Sequence, residues 1–210
     1  MVRSQIVSGT HAISACLFGL LRPGDQLVSV VGAPYDTLGR VIGIKESLTG
    51  TLTERGIIYN EVPLDNQGIP QLPEIESVIN ENTRMVLIQR SRGYSLRPAV
   101  PLENIEKIIK VIKDKNAQTV VMVDNCYGEF TAATEPIEHG ADIIAGSLIK
   151  NPGAGLALSG GYIAGKQELV EQVSYYLTAP GLGKELGASG GDNRRLYQGI
   201  FLAPHVVLQA

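Results

Sequence analysis

The chain has 210 residues, of which 44% are hydrophobic and 19% are charged, and its formal net charge is −3 at pH 7. This length and apolar content suit one large domain with a sizeable core and argue against intrinsic disorder. The slight negative charge, with no basic stripe, argues against binding to nucleic acid. The longest apolar run, residues 12–21, is too short to span a bilayer.

The cysteines indicate the redox environment of the protein, and the glycines mark segments of interest. Cys16 and Cys126 are the two cysteines, and both lie in apolar segments, so a reducing, cytoplasmic environment is expected rather than a disulfide framework. Glycine is frequent, with 24 residues, and there is no tryptophan. Most of the glycines lie in clusters, and those clusters mark the segments from which a function is inferred below.

In the first half of the chain, helix patterns alternate with strand patterns. A turn at Ser8, Gly9 and Thr10 leads into an apolar helix, which Pro23 and Gly24 are expected to end. The β-branched residues that follow predict a strand, and a loop bounded by Gly32 and Pro34 comes after it. The other elements predicted here are strands at 26–31, 57–62 and 84–89 and a short helix at 72–80.

The second half contains the clearest helix pattern of the chain, at residues 102–115. Four isoleucines recur there at i, i+3, i+4 and i+7 spacing with charged residues opposite, which is typical of a helix packed on a core. They are Ile105, Ile108, Ile109 and Ile112. Strands are predicted at 118–123, 141–147 and 158–164 and a helix from 167 to about 177, while the glycine-rich segment 180–191 is left unassigned.

Strands of uninterrupted valine and isoleucine separated by helices predict an α/β fold with a mostly parallel sheet covered on both faces. Ligands of such sheets bind beyond the carboxyl ends of the strands. Asp124 and Lys150 each lie just past a predicted strand, so we expect both at one edge of the sheet. The sequence has no internal repeat or low-complexity linker, which indicates one domain.

The turn at Ser8, Gly9 and Thr10 is a candidate phosphate site. Backbone amides, hydroxyls and the positive end of the helix dipole converge at such a helix N-terminus and favour an anion. The alternative is that Ser8 simply caps the helix, as serine commonly does.

Two further segments contain residues that could bind a flat, partly charged ring. Asp124 ends an apolar strand, and a buried carboxylate requires a partner, for example a protonated ring nitrogen. The alternative is that Asp124 caps the next turn. Tyr35 lies in a Gly/Pro-bounded loop and could stack on a ring, although such a tyrosine is more commonly just packed.

Lys150 is the remaining candidate. It is the only charged residue between Asp142 and Lys166, in a run of small and apolar residues. An amine in such surroundings loses its proton more readily and becomes a nucleophile or base, whereas the alternative is a surface lysine with an extended stem. A phosphate cradle, an aromatic ring, an acid and a nucleophilic lysine together are what pyridoxal phosphate requires.

With these segments in place, the sequence resembles the methionine gamma-lyase-like, or aluminium resistance, family of fold-type-I pyridoxal-phosphate enzymes. The resemblance covers essentially the whole chain. It is carried by residues 7–12 (VSGTHA), 31–37 (VGAPYDT), 89–94 (QRSRGY), 124–130 (DNCYGEF), 147–155 (SLIKNPGAG) and 178–181 (TAPG). It implies a three-layer fold, with a mostly parallel mixed sheet flanked by helices, as in the large domain of those enzymes.

The resemblance also implies a role for each candidate residue. Lys150 would be the catalytic residue, binding the cofactor covalently and then shuttling a proton, and Asp124 would pair with the ring nitrogen. Ser8, Gly9, Thr10 and Ser147 would hold the phosphate, Tyr35 would stack on the ring, and Tyr127 would contact the phenolic oxygen. Sulfur amino acid lyases usually carry Ser-x-Thr-Lys at the lysine, whereas Ile149 precedes Lys150 here, which removes one phosphate hydroxyl.

The expected activity is elimination of a thiol from a sulfur amino acid by a carbon–sulfur lyase. The alternatives are transamination or other chemistry on the same cofactor, and a non-catalytic truncated domain. Family members are about twice as long, so residues 1–210 are expected to be the large domain without the N-terminal segment and C-terminal small domain. The substrate-carboxylate arginine would then lie elsewhere, with Arg90, Arg92 and Arg97 as local candidates or structural arginines. A homodimer or homotetramer is expected by family analogy.

Two other kinds of site have weak support. Residues 160–166 (GGYIAGK) match a nucleotide P-loop in part, but Gln167 stands where magnesium needs a hydroxyl and the glycines fall within a predicted strand. The three histidines are widely spaced and no Cys/His pair has ligand spacing, so no metal site is predicted.

Overall fold

The structure is a computed structural model that describes residues 1–3, 5–44, 49–183, 185 and 193–210. Its strands are β1 Val2–Arg3, β2 Gln26–Ser29, β3 Ile58–Glu61, β4 Thr83–Gln89, β5 Val120–Asp124, β6 Ile143–Ser147 and β7 Gly161–Gly165. Its helices are α1 Gly9–Leu20, α2 Asp36–Ile42, α3 Leu72–Val78, α4 Leu102–Lys115, α5 Gln167–Ser174 and α6 Asn193–Gln209, with a 3-10 turn at Asn151–Gly153.

The strands form one seven-stranded sheet in the order β1-β7-β6-β5-β4-β2-β3. Strand β2 pairs in parallel with β3 and β4, and β4 pairs in parallel with β5. Strand β7 is antiparallel to both β1 and β6. The predicted α/β class with a mostly parallel mixed sheet flanked by helices is therefore confirmed.

The chain divides into two compact units. Unit 2 comprises Leu21–Asp124 and Pro136–Asp142. Its strands β4 and β5 are almost entirely buried, and helix α4 turns its isoleucines inward and packs on α3. The Lys113 ammonium lies 2.7 Å from the Asp142 carboxylate, which also accepts the Val121 backbone N–H at 2.7 Å. That carboxylate therefore ties the end of α4 to the start of β5.

Unit 1 comprises Met1–Leu20, Asn125–Glu135 and Ile143–Ala210. Helix α1, made largely of small and apolar residues, packs on β6 and on α5. Helix α6 packs on the 3-10 turn at Asn151–Gly153. This packing is close, because a Cβ added to Gly199 of α6 would lie only 2.6 Å from the Gly153 carbonyl oxygen. The turn after Lys150 is thereby buttressed by a helix.

Most predicted elements are present, with ends displaced by a few residues. Strand β1, helix α2 and helix α6 were not predicted from the sequence. Helix α2 follows Pro34 and contains Gly39, and α6 contains Pro204, so both carry residues that usually mark loops. Among the described residues, no helix has the length and apolar character needed to cross a membrane. The unassigned segment 180–191 lies partly outside the described residues.

Candidate functional site

Lys150 lies against an aromatic ring. It follows the end of β6 by three residues and is partly buried. Its Nζ atom is 4.1 Å from the centroid of the Tyr127 ring, and Tyr127 itself is 58% exposed. A cation at this distance from a tyrosine face is attracted by the negative face of the ring. Unit 1 therefore brings together the predicted catalytic lysine and one predicted cofactor-contacting residue.

Tyr127 occupies a turn of unusual conformation. Its φ is 67°, in the left-handed region that side chains other than glycine rarely adopt. The turn is closed by the Gly128 backbone N–H, which donates to the Asn125 carbonyl at 2.8 Å. A left-handed residue of this type costs about 1–2 kcal/mol. The surrounding contacts must therefore hold the turn in place.

A partly buried polar network provides these contacts. The Tyr162 hydroxyl donates to the Glu129 carboxylate at 2.7 Å and accepts from the Asn125 amide at 3.1 Å. The same Asn125 amide donates to the Glu135 carboxylate at 2.9 Å. Burial, followed by the negative charge of Glu129, raises the pKa of Tyr162, so its hydroxyl keeps its proton. The residues before and after Tyr127 are thus anchored to one phenol.

The sequence analysis missed Asn125, Glu129 and Tyr162 as site residues. Asn125 and Glu129 fall inside the segment 124–130 that carried the family resemblance, so their position was visible but their burial was not. Tyr162 lies in the glycine-rich segment 160–166 that was compared with a P-loop. That segment forms strand β7 instead, in agreement with the reason given for rejecting nucleotide binding.

Ser8 caps the N-terminus of α1. Its hydroxyl accepts the His11 backbone N–H at 3.1 Å, so Ser8 is a helix cap. A hydroxyl that accepts one hydrogen bond can still donate another, and the role toward phosphate stays a prediction. Thr10, partly buried in the first turn, accepts a hydrogen bond on its carbonyl from Ser14.

Gly9 brings this helix end against the end of β6. A Cβ at Gly9 would lie 3.0 Å from both Ser147 Cβ and Cys126 Sγ, so a larger residue would push α1 away from the strand. Ser147 is 1% exposed, and its hydroxyl accepts the Ile149 backbone N–H at 3.4 Å. Gly9 and Ser147 therefore lie together in unit 1, and the phosphate role that the resemblance implies for them stays a prediction.

Unit 2 holds the other two predicted residues, Tyr35 and Asp124. The Tyr35 backbone N–H donates to the side-chain oxygen of Gln89 at 2.9 Å. Gln89 ends β4 and pairs with Asp124, which ends β5 and is 1% exposed. Within this unit, both predicted residues thus lie at the carboxyl ends of parallel strands, where ligands of α/β sheets bind.

Arg97 has a structural role in unit 2. Its guanidinium donates to the carbonyl oxygens of Gln89 at 3.0 Å, Ser91 at 2.6 Å and Pro98 at 3.0 Å. Burial lowers its pKa. Because these bonds close the loop after β4, the alternative of a structural arginine fits Arg97 better than that of a substrate ligand.

The profile of the methionine gamma-lyase family matches residues 1–210. The chain belongs to this family. The match over residues 1–210 agrees with the resemblance carried by the segments around Gly9, Tyr127 and Lys150.

Similar proteins come from several bacteria. A Listeria monocytogenes protein, provisionally described as a cystathionine beta-lyase involved in aluminium resistance, is 53% identical with a TM-score of 0.96 over 100% of this chain and 53% of that chain. A Clostridium novyi carbon-sulfur lyase involved in aluminium resistance is 49% identical with a TM-score of 0.94 over 100% of this chain and 50% of that chain. The Bacillus subtilis protein YnbB is 49% identical over 100% of this chain and 50% of its own length. The chain therefore spans about half the length of these relatives.

Two more distant proteins are also similar to the chain. The L-methionine gamma-lyase of Pseudomonas deceptionensis is 26% identical over 79% of this chain and 37% of its own length. The pyridoxal-5'-phosphate-dependent protein YhfS of Escherichia coli is 19% identical, with a TM-score of 0.66 over 98% of this chain and 49% of that chain. The second similarity shows that the fold is shared.

Proposed function

We propose that the chain is the cofactor-binding part of a pyridoxal-phosphate-dependent carbon–sulfur lyase that eliminates a thiol from a sulfur-containing amino acid. The observation that carries the proposal is the Lys150 amine, 4.1 Å from the Tyr127 ring centroid just past the end of β6. Membership in the methionine gamma-lyase family supports the class of reaction.

The residues of unit 1 fit pyridoxal phosphate in kind. The first turn of a 12-residue helix lies beside Ser147 because Gly9 has no side chain. Backbone N–H groups at a helix N-terminus, together with hydroxyls, are the donors that a phosphate requires. The amine of Lys150, three residues beyond Ser147, is the group that an aldehyde requires.

When bound, pyridoxal phosphate supplies an electron sink for the negative charge left at Cα when a proton is removed. Lys150 would bind the cofactor through Nζ and, once displaced by the substrate amine, take the Cα proton. The Tyr127 ring covers Nζ on one side and limits the directions from which that atom can be approached. The roles of Tyr35 and Asp124, stacking and pairing with the ring nitrogen, stay predictions from the sequence.

Absorbance after addition of pyridoxal phosphate tests the proposal. The parent chain is expected to develop a band at about 420 nm, and Lys150→Ala to lack it. Lys110→Ala, an exposed lysine on α4, is the matched control and should behave as the parent. Identical spectra for the parent and Lys150→Ala would contradict the assignment of the lysine.

The type of reaction needs a second assay. Purified protein loaded with pyridoxal phosphate is expected to release thiol from methionine or cystathionine, as measured with a thiol-reactive dye. Amino-group exchange with a keto acid and no thiol release would instead favour the transaminase alternative. Loading without turnover of either kind would favour a non-catalytic domain.

Assembly and location are proposals from family analogy alone. We expect a homodimer or homotetramer in the cytoplasm, because active sites of related enzymes are shared between subunits. Light scattering after size-exclusion chromatography measures the mass directly, and a monomer at micromolar concentration would contradict this expectation.

A further inference from the structure

We propose that Tyr162 and Asn151 are positioning residues that hold the Tyr127 ring over Lys150. The catalytic meaning of this inference rests on the function proposed above. Its geometry does not, because every contact involved lies in unit 1 and involves only groups of this chain.

Tyr162 fixes the turn that carries Tyr127 at both ends. Its hydroxyl accepts from Asn125, two residues before Tyr127, at 3.1 Å and donates to Glu129, two residues after it, at 2.7 Å. Asn125 and Glu129 are 1% and 4% exposed and Tyr162 is half-buried, so these bonds are partly shielded from water. One hydroxyl thereby stabilises a left-handed backbone that would otherwise relax.

The space around this hydroxyl leaves little freedom. A Cβ at Gly146 of β6 would lie 2.4 Å from Tyr162 Cε1 and 2.5 Å from Glu129 Oε1. Only glycine at that position lets the phenol and the carboxylate meet over the strand. Tyr162 therefore has a fixed location relative to β6, the strand that leads to Lys150.

Asn151 links the same turn to the lysine. It directly follows Lys150, and its side-chain amide donates to the Glu129 carbonyl at 3.0 Å. Glu129 is thus held through its side chain by Tyr162 and through its backbone by Asn151. The bond between Asn151 and Glu129 limits the separation of the Tyr127 ring from the Lys150 amine. Tyr127 lies two residues before Glu129, and Lys150 directly precedes Asn151.

Competitive acylation of the lysines in the full chain, without added cofactor, tests the inference. Trace acetic anhydride is added, and the rate at Lys150 is measured by mass spectrometry relative to Lys107 and Lys110, which are exposed on α4. Tyr162→Phe and Asn151→Ala are each expected to raise the relative rate at Lys150 about two- to five-fold, because the amine loses its ring cover and a cation–π contact.

Matched variants remove similar hydrogen bonds elsewhere. Tyr59→Phe removes a phenol that donates to Glu61 at 2.9 Å, and Asn116→Ala removes an amide that donates to the Asn80 carbonyl at 3.0 Å. Both are expected to leave the rate at Lys150 unchanged. An unchanged rate in Tyr162→Phe or in Asn151→Ala would overturn the role of that residue.

A double-mutant comparison separates positioning from general loosening. Tyr127→Leu removes the ring and should itself raise the rate at Lys150. If Tyr162 and Asn151 act through the ring, adding either substitution to Tyr127→Leu has no further effect. Additive increases would overturn the inference. The acylation assay is run without cofactor. Absence of the band at about 420 nm would therefore contradict the proposed function without affecting the acylation result.

Discussion

Unit 2 and unit 1 use backbone conformation in different ways. In the described part of unit 2, every residue with positive φ is a glycine, and α4 is a regular 14-residue helix. The described part of unit 1 has three other residues with positive φ, namely Tyr127, Phe130 and Ala154. Two of these lie in the turn after Asn125 and the third follows the 3-10 turn after Lys150.

The difference shows where the molecule tolerates strain. Conformations of this kind cost about 1–3 kcal/mol each and persist only where surrounding contacts hold them, commonly at functional sites. In unit 1 those contacts are the partly buried hydrogen bonds of Tyr162 and the packing of α6 on the turn after Lys150. In unit 2, Gln89 at the end of β4 holds the Tyr35 backbone N–H and pairs with Asp124 at the end of β5.

The largest expected effect comes from the core of unit 2. Ile108 of α4 is fully buried, and Ile108→Ala should lower the free energy of unfolding by about 2–5 kcal/mol through lost burial and a cavity. Urea unfolding measures the change, with exposed Lys110→Ala as the control. The relative acylation rate of Lys150 should not change. A large change in the acylation rate of Lys150 would show that the surroundings of this lysine depend on the core of unit 2.

A smaller, local effect is expected from the packing of α6. Gly199→Ala places a Cβ 2.6 Å from the Gly153 carbonyl, and such overpacking costs about 1–3 kcal/mol. Faster hydrogen exchange is expected in residues 193–209, while β4 and β5 keep their protection. Gln198→Ala, exposed on the same helix, is the control. Equal exchange in both variants would show that α6 does not depend on this contact.

The smallest effect concerns pH and compares two tyrosine–glutamate pairs. The pKa of Tyr162 is raised above the ordinary 10.0, so the unfolded chain loses the phenol proton first. Stability is therefore present below pH 10 and falls above it, by at most about 1.4 kcal/mol per pH unit for one group. Tyr162→Phe should flatten this decline, as measured by urea unfolding between about pH 9 and 11.

Tyr59→Phe is the matched variant for that measurement. Burial, followed by the hydrogen bond to Glu61, also raises the pKa of Tyr59, but this hydrogen bond is exposed to solvent. Its contribution to the decline should therefore be smaller than that of Tyr162. An equal contribution from both residues would contradict the distinction between the partly buried hydrogen bond of Tyr162 and the exposed hydrogen bond of Tyr59.

Much of the fold could be predicted because it depends on local patterns. The four isoleucines of α4 predicted its bounds at residues 102–115, and the structure has Leu102–Lys115. Runs of valine and isoleucine likewise predicted β4 and β5, since strands buried on both faces need apolar residues at every position. Helices α2 and α6 were missed because proline and glycine within or beside them are local signals for loops.

The candidate site could be predicted only in part. The turn at Gly9 together with Tyr35, Asp124 and Lys150 suggested pyridoxal phosphate, and Gly9 and Lys150 lie in unit 1 whereas Tyr35 and Asp124 lie in unit 2. The bond between Tyr162 and Glu129 could not be predicted, because it joins residues 33 positions apart and depends on the space left at Gly146.

The sequence by itself determined the α/β class, the position of Lys150 after a buried strand, and the family to which the chain belongs. These follow from the spacing of apolar residues and from short motifs, which are local properties. Tertiary structure alone decided that the Tyr127 ring covers the Lys150 amine and that the half-buried phenol of Tyr162 contacts both sides of the turn that carries Tyr127. Such contacts depend on a left-handed backbone and on close packing between strands, which no local pattern specifies.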